Sequence, residues 1–409
     1  VSGGNGGNGG SGGDGGDGGH GVAGRSGGKL GEIVLRRRSI TSVVEAAGPR
    51  RAVHLHSCGP SRVVVPPLPT GGFFLQLWAV RELPEQGMWA APHYDSFAPP
   101  TFLLRDALVH GPAGILGVGD MAIEESLAHT SCGQHRYQEL QRAIAISPTE
   151  IVKLPGIHIS LLAGGAQEYR HAVLDGLARL VSVPENVVAA ANGLLVPRGA
   201  MAQRDLLELM DLLPTLAIRE VSPGETLVVE TLIYPLSVTG EAAYHPCVID
   251  FFRRISANVA RAPRPLPERF YIDLREAGLR PLRNEAALIE ALSREGIVPV
   301  RLSEFGLQDQ IRLFRHARLI VAPHGGHLTN LGFARPGCRV IELLMDAAVD
   351  WSFRNLAALM DLSYDCVIGR ARRPWPDLGS GVDRTPWEIS INHVIAAIAH
   401  TETQAAKAA

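Results

Sequence analysis

The chain has 409 residues and a formal net charge of −2, with 46% hydrophobic and 20% charged residues. That length holds two or three domains of ordinary size, and the apolar content excludes a wholly disordered chain. The near-neutral balance, with a pI of about 6.8, speaks against a dedicated nucleic-acid binder working through a strongly basic face.

Five cysteines stand singly (Cys58, Cys132, Cys247, Cys338, Cys366) with no CxxC pair. This is a poor basis for a disulfide framework or a zinc module, and it fits reduced thiols in a cytoplasmic protein. No run approaches 18 apolar residues, and the N-terminus has no charged stretch leading into an apolar core. Neither a membrane span nor a signal peptide is expected.

Residues 1–28 form a Gly-Gly-X repeat without proline that holds 16 of the 45 glycines. It lacks the composition of collagen and has nothing to bury, so a flexible tail is expected. Residues 29–160 look β-rich, with short runs at Ala52–Leu55, Arg62–Val65, Phe73–Val80 and Thr101–Val109 between proline and glycine breaks. Gln134–Ala145 reads as a short helix. Gly111-x-x-Gly114-x-x-Gly117 has the wrong spacing for a dinucleotide loop and no acid placed for a ribose. His54 and His56 alternate along a strand and read as a solvated face; His110, His158 and His245 read as structural.

From about residue 164 the period changes. Gln167–Val183 places Tyr169, Val173, Leu174, Leu177 and Leu180 at helical spacing. Asn186–Ala191 reads as a strand, Gln203–Leu212 as a helix, Thr226–Tyr234 as a strand and Cys247–Val259 as a helix. Three prolines within 263–267 then make a semi-rigid connector, the chemistry of a domain boundary. Beyond it strands at Arg269–Asp273, Ile297–Leu302, Arg318–Ala322 and Arg339–Leu344 alternate with helices at Asn284–Glu295, Gln308–Ala317 and Ser352–Met360, with a helical turn at Leu328–Phe333. Such alternation predicts an α/β fold with a buried parallel sheet and right-handed crossovers. The expected division is a 1–28 tail, an N-terminal domain at 29–260, a C-terminal domain at 268–372 and a terminal segment at 373–409.

In an open parallel sheet ligands sit beyond the carboxyl ends of the strands. The loop Pro323-His-Gly-Gly-His-Leu-Thr-Asn330 lies at such an end and leads into a helical turn. Its Gly325 and Gly326 let backbone approach a ligand closely. Free N–H groups at the next turn favour a phosphate, and His324, Thr329 and Asn330 add donors. A plain strand-to-helix turn would use the same glycines for geometry alone. His324-x-x-His327 is a weak metal pair, because no third ligand is near in sequence. Glu342 ends the following strand, a position suited to ribose hydroxyls, though a paired structural carboxylate reads equally there.

Taken in order, Arg283-Asn-Glu, Leu302-Ser303, Asp309-Gln, Phe314-x-x-Ala317, Ile320-Val-Ala-Pro-His-Gly-Gly-His-Leu-Thr-Asn330, Phe333-x-x-Pro-Gly337 and Val340-Ile-Glu-Leu343 resemble the motif series of glycosyltransferase family 61. Upstream, Tyr169-Arg-His171-Ala-Val-Leu-Asp175-Gly-Leu-Ala-Arg179-Leu180 resembles that family's YYHW..D.LPRL helix. The similarity covers roughly 165–345. Departures are Gly326 and His327 where the family loop has Ala and Gly, Arg275 displaced by one residue after Asp273-Leu274, and Glu168 and Ala172 for Asn and Trp.

The resemblance implies a GT-B arrangement of two Rossmann-like domains facing a cleft, with the nucleotide-sugar donor on the C-terminal one. It implies inverting transfer, usually from a UDP-sugar, to a glycan or lipid-linked acceptor, as in surface polysaccharide synthesis. On that reading the donor set is Arg275, Arg280, Ser303, His324, Gly325, Gly326, Thr329, Asn330 and Glu342. Fixed donors replace a divalent metal, no cofactor is required, and no DxD triplet occurs. For the base, His171 with Asp175 one helical turn away is nominated, either as base and orienter or with Asp175 as the base itself. Helix packing with an Asp175–Arg179 ion pair is the plain alternative. A catalytically silent nucleotide- or glycan-binding module of the same fold is the second functional reading. The expected setting is cytoplasmic, with room for contact at a membrane surface.

Overall fold

The strands that lead to the glycine-rich loop are near-continuous apolar runs, and such runs stack as parallel neighbours covered on both faces. In the computed structural model the described residues are 31–68, 91–127, 143–166, 168–199, 201–212, 215–240, 243–260, 265–275, 280–346, 349–371 and 385–408. Five strands pair parallel in the order Val298–Val300, Arg269–Ile272, Leu319–Pro323, Arg339–Met345 and Ser363–Ala371. Trp387–Glu388 adds an antiparallel sixth. Along the chain the five run in the order second, first, third, fourth, fifth, a doubly wound arrangement whose direction reverses between Arg269–Ile272 and Leu319–Pro323. In sheets of this order, ligands sit in the crevice outside the carboxyl ends of the two strands at the reversal.

Period-two alternation decides the packing. Tyr271, Leu319, Val321, Ile341 and Leu343 face the helices Glu285–Arg294 and Ile391–Ala408, through Leu288, Leu292, Val394 and Ile398. Phe270, Ile272, Ile320, Ala322 and Val340 face the opposite way, toward Leu307–His316 and Ser352–Leu359. The terminal helix is thus a layer of this sheet.

The N-terminal half is unlike it. Ten strands form one mixed sheet. Its middle is Glu225–Pro235, antiparallel to Pro100–His110 on one side and parallel to Glu150–Ser160 on the other. Gly193–Pro197 and Ala217–Val221 continue the parallel side, while Ile115–Val118, Met121–Ile123, Ile33–Arg38 and Ala143–Ile146 extend the other. Gly111 and Gly114 take left-handed φ of 65° and 73° in the hairpin turn joining Pro100–His110 to Ile115–Val118, which is what their spacing serves.

Two sequence assignments change. The Asn186–Ala191 stretch is helical up to Ala190, in the helix Glu185–Ala190, because Pro184 fixes the helix entry and Glu185 favours its first turn. The strand lies just beyond, at Gly193–Pro197, where all five residues are buried. Gln134–Ala145 falls mostly outside the described residues, and its last three residues belong to the strand Ala143–Ile146. The 1–28 tail, Phe73–Val80, Cys132 and the start of the proline connector also lie outside them.

The two sheets do not face each other across a bare cleft at their base. One hydrophobic cluster runs from Ile159, Leu194 and Val196 of the mixed sheet to Phe270, Ile272 and Ile320 of the parallel one. It passes through the helix Cys247–Ala257 and the segment Gly326–Phe333, where the Phe252 and Phe333 rings meet edge-on at 4.9 Å. Among the described residues no helix is long and apolar enough to cross a membrane.

Candidate active site

After Ser160 the chain leaves the mixed sheet and enters the helical segment expected at 167–183. It is not a regular α-helix. His171–Gly176 is a π-helical turn and Leu177–Ser182 a 3-10 turn; Leu177 donates to the carbonyls of both Ala172 and Val173. Single π turns recur at functional positions because they re-aim side chains. Here the His171 and Asp175 side chains meet, with 2.6 Å between Nδ1 and Oδ2. The other Asp175 oxygen accepts from the Thr239 hydroxyl. Arg179 does not pair with Asp175 in the manner of the plain alternative; its guanidinium donates to the Leu162 carbonyl. Gly165, at φ 72°, passes so close to the His171 ring that a side chain there would press on it.

A carboxylate already bonded on both oxygens accepts from His171, so the imidazole carries its proton on Nδ1 and its lone pair on Nε2. Nε2 lies 3.9 Å from the exposed Glu168 carboxylate. The Asp175 hydrogen bond raises the His171 pKa above its ordinary value, against burial and the nearby Arg170 charge. A histidine held in this way can act as an oriented general base.

The strand Leu319–Pro323 delivers the glycine turn. His324 uses its backbone N–H on the Leu343 carbonyl. Its ring Nδ1 lies 2.6 Å from Glu342 Oε1. Glu342 is fully buried, and Tyr364 donates to its other oxygen at 2.5 Å. Both carboxylate oxygens are therefore engaged, and the Glu342 side chain points to His324 and Tyr364 inside the protein. Among the described residues, the amides of Gly325, Gly326 and His327 donate to no protein acceptor. A Cβ on Gly326 would meet only the backbone N and Cβ of Arg170, at ordinary contact distance. Arg170 thus closes one side of the turn. Its guanidinium lies 5.5 Å from the Phe353 ring centroid and donates to Asp350 at 3.3 Å and to Ser352 at 2.7 Å. The His324 ring packs on the same Phe353, 5.4 Å between centroids. Burial alone would raise the Asp350 carboxyl, but His324, Arg170 and Ser352 hold it below the usual range.

Not every nominated residue reaches this surface. Thr329 and Asn330 are fully buried. Asn330 accepts from the Tyr169 hydroxyl at 2.7 Å and donates to Gln310 at 3.1 Å, so it joins the turn to the His171 segment and to the helix Leu307–His316. Their side chains build the turn and do not line it. His327 bends back: its Nε2–H donates to the Pro323 carbonyl at 3.0 Å and its ring occupies the space where a Gly325 side chain would start. Burial lowers its pKa to about 4. Arg275 is held by Asp273 through two hydrogen bonds of 3.0 and 2.7 Å, and Arg301 joins them at 3.2 Å. This cluster sits at the carboxyl end of Arg269–Ile272, with Asp273 held down to about 2, chiefly by Arg275. Arg280, in the left-handed region at φ 47°, acts electrostatically on His327. Ser303 is exposed on the short turn Leu302–Glu304. Arg170, Asp350, Phe353 and Tyr364 were not expected at the site. Arg170 lay inside a recognised motif without a role, and the other three come from beyond the motif series.

Two cavities, of about 590 and 830 Å³, lie elsewhere. The first is between Asp205, Glu208 and the start of the helix Leu307–His316. The second is lined by Leu180, Val188, Leu212 and Arg254. Neither takes in the glycine turn, which is half-exposed; the site is identified by its paired histidines and open amides, not by enclosure.

Residues 169–341 match the family model described as Glycosyltransferase 61, a stretch that runs from Tyr169 through the glycine turn. Part of the chain is similar to protein O-linked-mannose beta-1,4-N-acetylglucosaminyltransferase 2 of Bos taurus, at 30% identity over 138 residues, covering 30% of this chain and 24% of that protein. The same protein of Canis lupus familiaris matches with the same identity and coverage. The chain thus spans about a quarter of the length of these curated relatives.

Proposed function

We propose that this chain is an inverting glycosyltransferase that moves a sugar from a UDP-linked donor to a glycan or glycolipid acceptor in surface polysaccharide synthesis. One observation carries the reading. The His171–Asp175 pair and the open amides of Gly325, Gly326 and His327 adjoin through Arg170, which supports an oriented base acting beside an anion-binding turn.

Inversion is a single displacement. His171 Nε2 takes the proton of the acceptor hydroxyl as its oxygen attacks the anomeric carbon. The bond from that carbon to the diphosphate oxygen breaks on the opposite side. Negative charge then grows on the leaving diphosphate, and the three amides, the Arg170 guanidinium and His324 as an imidazolium meet it. Arg280 adds positive potential beside the turn, and Arg275, half-committed to Asp273, stands at the carboxyl end of the neighbouring strand. In this reading fixed donors do the work of a metal. The names of the relatives make UDP-N-acetylglucosamine the first donor and an O-linked mannose the first acceptor to try. A reducing, cytoplasmic setting fits the four described free thiols.

The test is incubation of the purified chain with a panel of UDP-sugars and acceptors, following UDP release and product anomer by NMR. Turnover with inversion supports the reading; stabilisation by NAD, with no UDP-sugar consumed, overturns it.

A second reading, a binding module without turnover, is favoured by the His327 ring, which fills space at Gly325 that a ligand would otherwise use. UDP binding by wild type with no sugar released identifies it.

A further inference from the structure

We propose that Cys58, His245 and Cys247 form a binding site for a soft divalent cation of the zinc class, apart from the sugar-transfer site. One ligand atom from each residue lies within 4.8 Å of the other two. Zinc–sulfur and zinc–nitrogen bonds of roughly 2.0–2.3 Å at tetrahedral angles set ligand atoms about 3.3–3.8 Å apart. Closing the remaining gap takes about an ångström, within reach of χ1 adjustments at two thiols.

The arrangement around His245 is what a metal ligand needs. Its Nε2–H donates to the Gly59 carbonyl at 2.7 Å, so the tautomer is fixed and the lone pair is on Nδ1. Nδ1 faces the start of the helix Cys247–Ala257, where it accepts a long hydrogen bond from the Cys247 amide at 3.2 Å that a bound cation would displace. Histidine ligands are commonly held this way, by a backbone carbonyl on the nitrogen that does not bind metal. Cys247 is the first residue of that helix; burial raises its thiol pKa, so the cation itself must displace the proton. Cys58 comes from the loop after the strand Ala52–Ser57 and, like Cys247, is half-buried. Gly59 beside it is exposed, which leaves a path for a cation and room for water as fourth ligand.

The charges balance. The cation displaces the two thiol protons, which leave to solvent, and forms two metal–sulfur bonds and one metal–nitrogen bond; two thiolates, a neutral imidazole and a dication sum to zero. No oxidant or reductant enters the step. Sequence spacing hides the set, because Cys58 is far from His245-Pro-Cys247 along the chain. The site would clamp the 58–60 loop of the N-terminal half onto the helix whose Phe252 packs on Phe333 of the glycine-turn segment.

Cobalt titration of the full chain, stripped with chelator and fully reduced with a phosphine, tests the proposal. Expected are about one Co²⁺ per chain, visible d–d bands of a tetrahedral ion and a thiolate charge-transfer band, with zinc displacing the colour. Two thiols should also become unreactive toward a disulfide reagent. Cys58→Ser and Cys247→Ser should each abolish the charge-transfer band or cut it to half, and His245→Ala should shift the d–d bands. Cys338→Ser should leave both unchanged. Circular dichroism separates lost ligands from lost folding, and the wild-type titration stands without any variant. No cobalt uptake by reduced wild type overturns the proposal, as does a Cys58–Cys247 disulfide in the protein as isolated from a reducing cytoplasm.

Discussion

Two histidine–carboxylate pairs flank the glycine turn, alike in distance and unlike in position. His171–Asp175 and His324–Glu342 both close at 2.6 Å, and each carboxylate is bonded on its second oxygen, by Thr239 and Tyr364 respectively. Yet His171 stands on a π turn leaving the mixed sheet, with an exposed glutamate before it. His324 stands at a strand end of the parallel sheet, against Phe353 and near Asp350. The same pair can orient a neutral base that collects a proton or an imidazolium that donates to a phosphate; its surroundings select the role. We assign the first to His171 and the second to His324.

The sharpest way to break this division is to remove each ring in turn. His171→Ala should lower the transfer rate roughly 100- to 10,000-fold while leaving UDP affinity near wild type. His324→Ala should weaken UDP binding first. Stopped assays for rate and calorimetry for UDP separate the two, and equal effects on both quantities at both positions would erase the distinction.

Asp175→Asn tests orientation without removing the base. An amide can stabilise the wrong His171 tautomer, so the rate should fall on the order of 100-fold or more with UDP binding retained. Tyr364→Phe probes the other pair: it strips a donor from fully buried Glu342 and should cost about 1–3 kcal/mol in denaturant unfolding, with a smaller effect on rate than Asp175→Asn.

The smallest effect is in pH. His171 is raised above its ordinary value by Asp175. As a base it must be deprotonated, so transfer should rise with pH through a midpoint above that of a free histidine, and His171→Ala should lose that limb. Stability runs the other way. Charged His171 contributes fully below the unfolded histidine pKa of about 6.5, and the contribution fades as pH rises through the higher folded value. The unfolding difference between wild type and His171→Ala should therefore shrink from pH 6 to pH 8.

The parallel sheet was legible because local rules and tertiary burial agree there. Strands such as Leu319–Pro323 are apolar at every position and are buried at every position. The His171–Asp175 pair was legible for the same reason, since i,i+4 spacing on a helical segment brings the side chains together even when the turn is wider than α. What the sequence hid came from long-range contact. Tyr364 reaches Glu342 only because their strands pair, and Arg170 meets Asp350 and Ser352 from 180 and 182 residues away. Glu342 reads from the sequence as a ribose ligand or a paired carboxylate, and the Tyr364 and His324 bonds show the pairing, in the middle of the strand Arg339–Met345. The Asn186–Ala191 error has a local cause: two adjacent valines suggested a strand where Pro184 starts a helix.

The central claim is that the open amides at 325–327 grip a diphosphate beside Arg170. Thermal unfolding with UDP, and with uridine at the same concentration, tests it most directly. A ligand present at about 100 times its dissociation constant adds roughly 2.7 kcal/mol to the folded state. The account predicts that UDP raises the unfolding midpoint and uridine does not. Equal shifts from the two, or no shift from UDP at millimolar concentration, would contradict it.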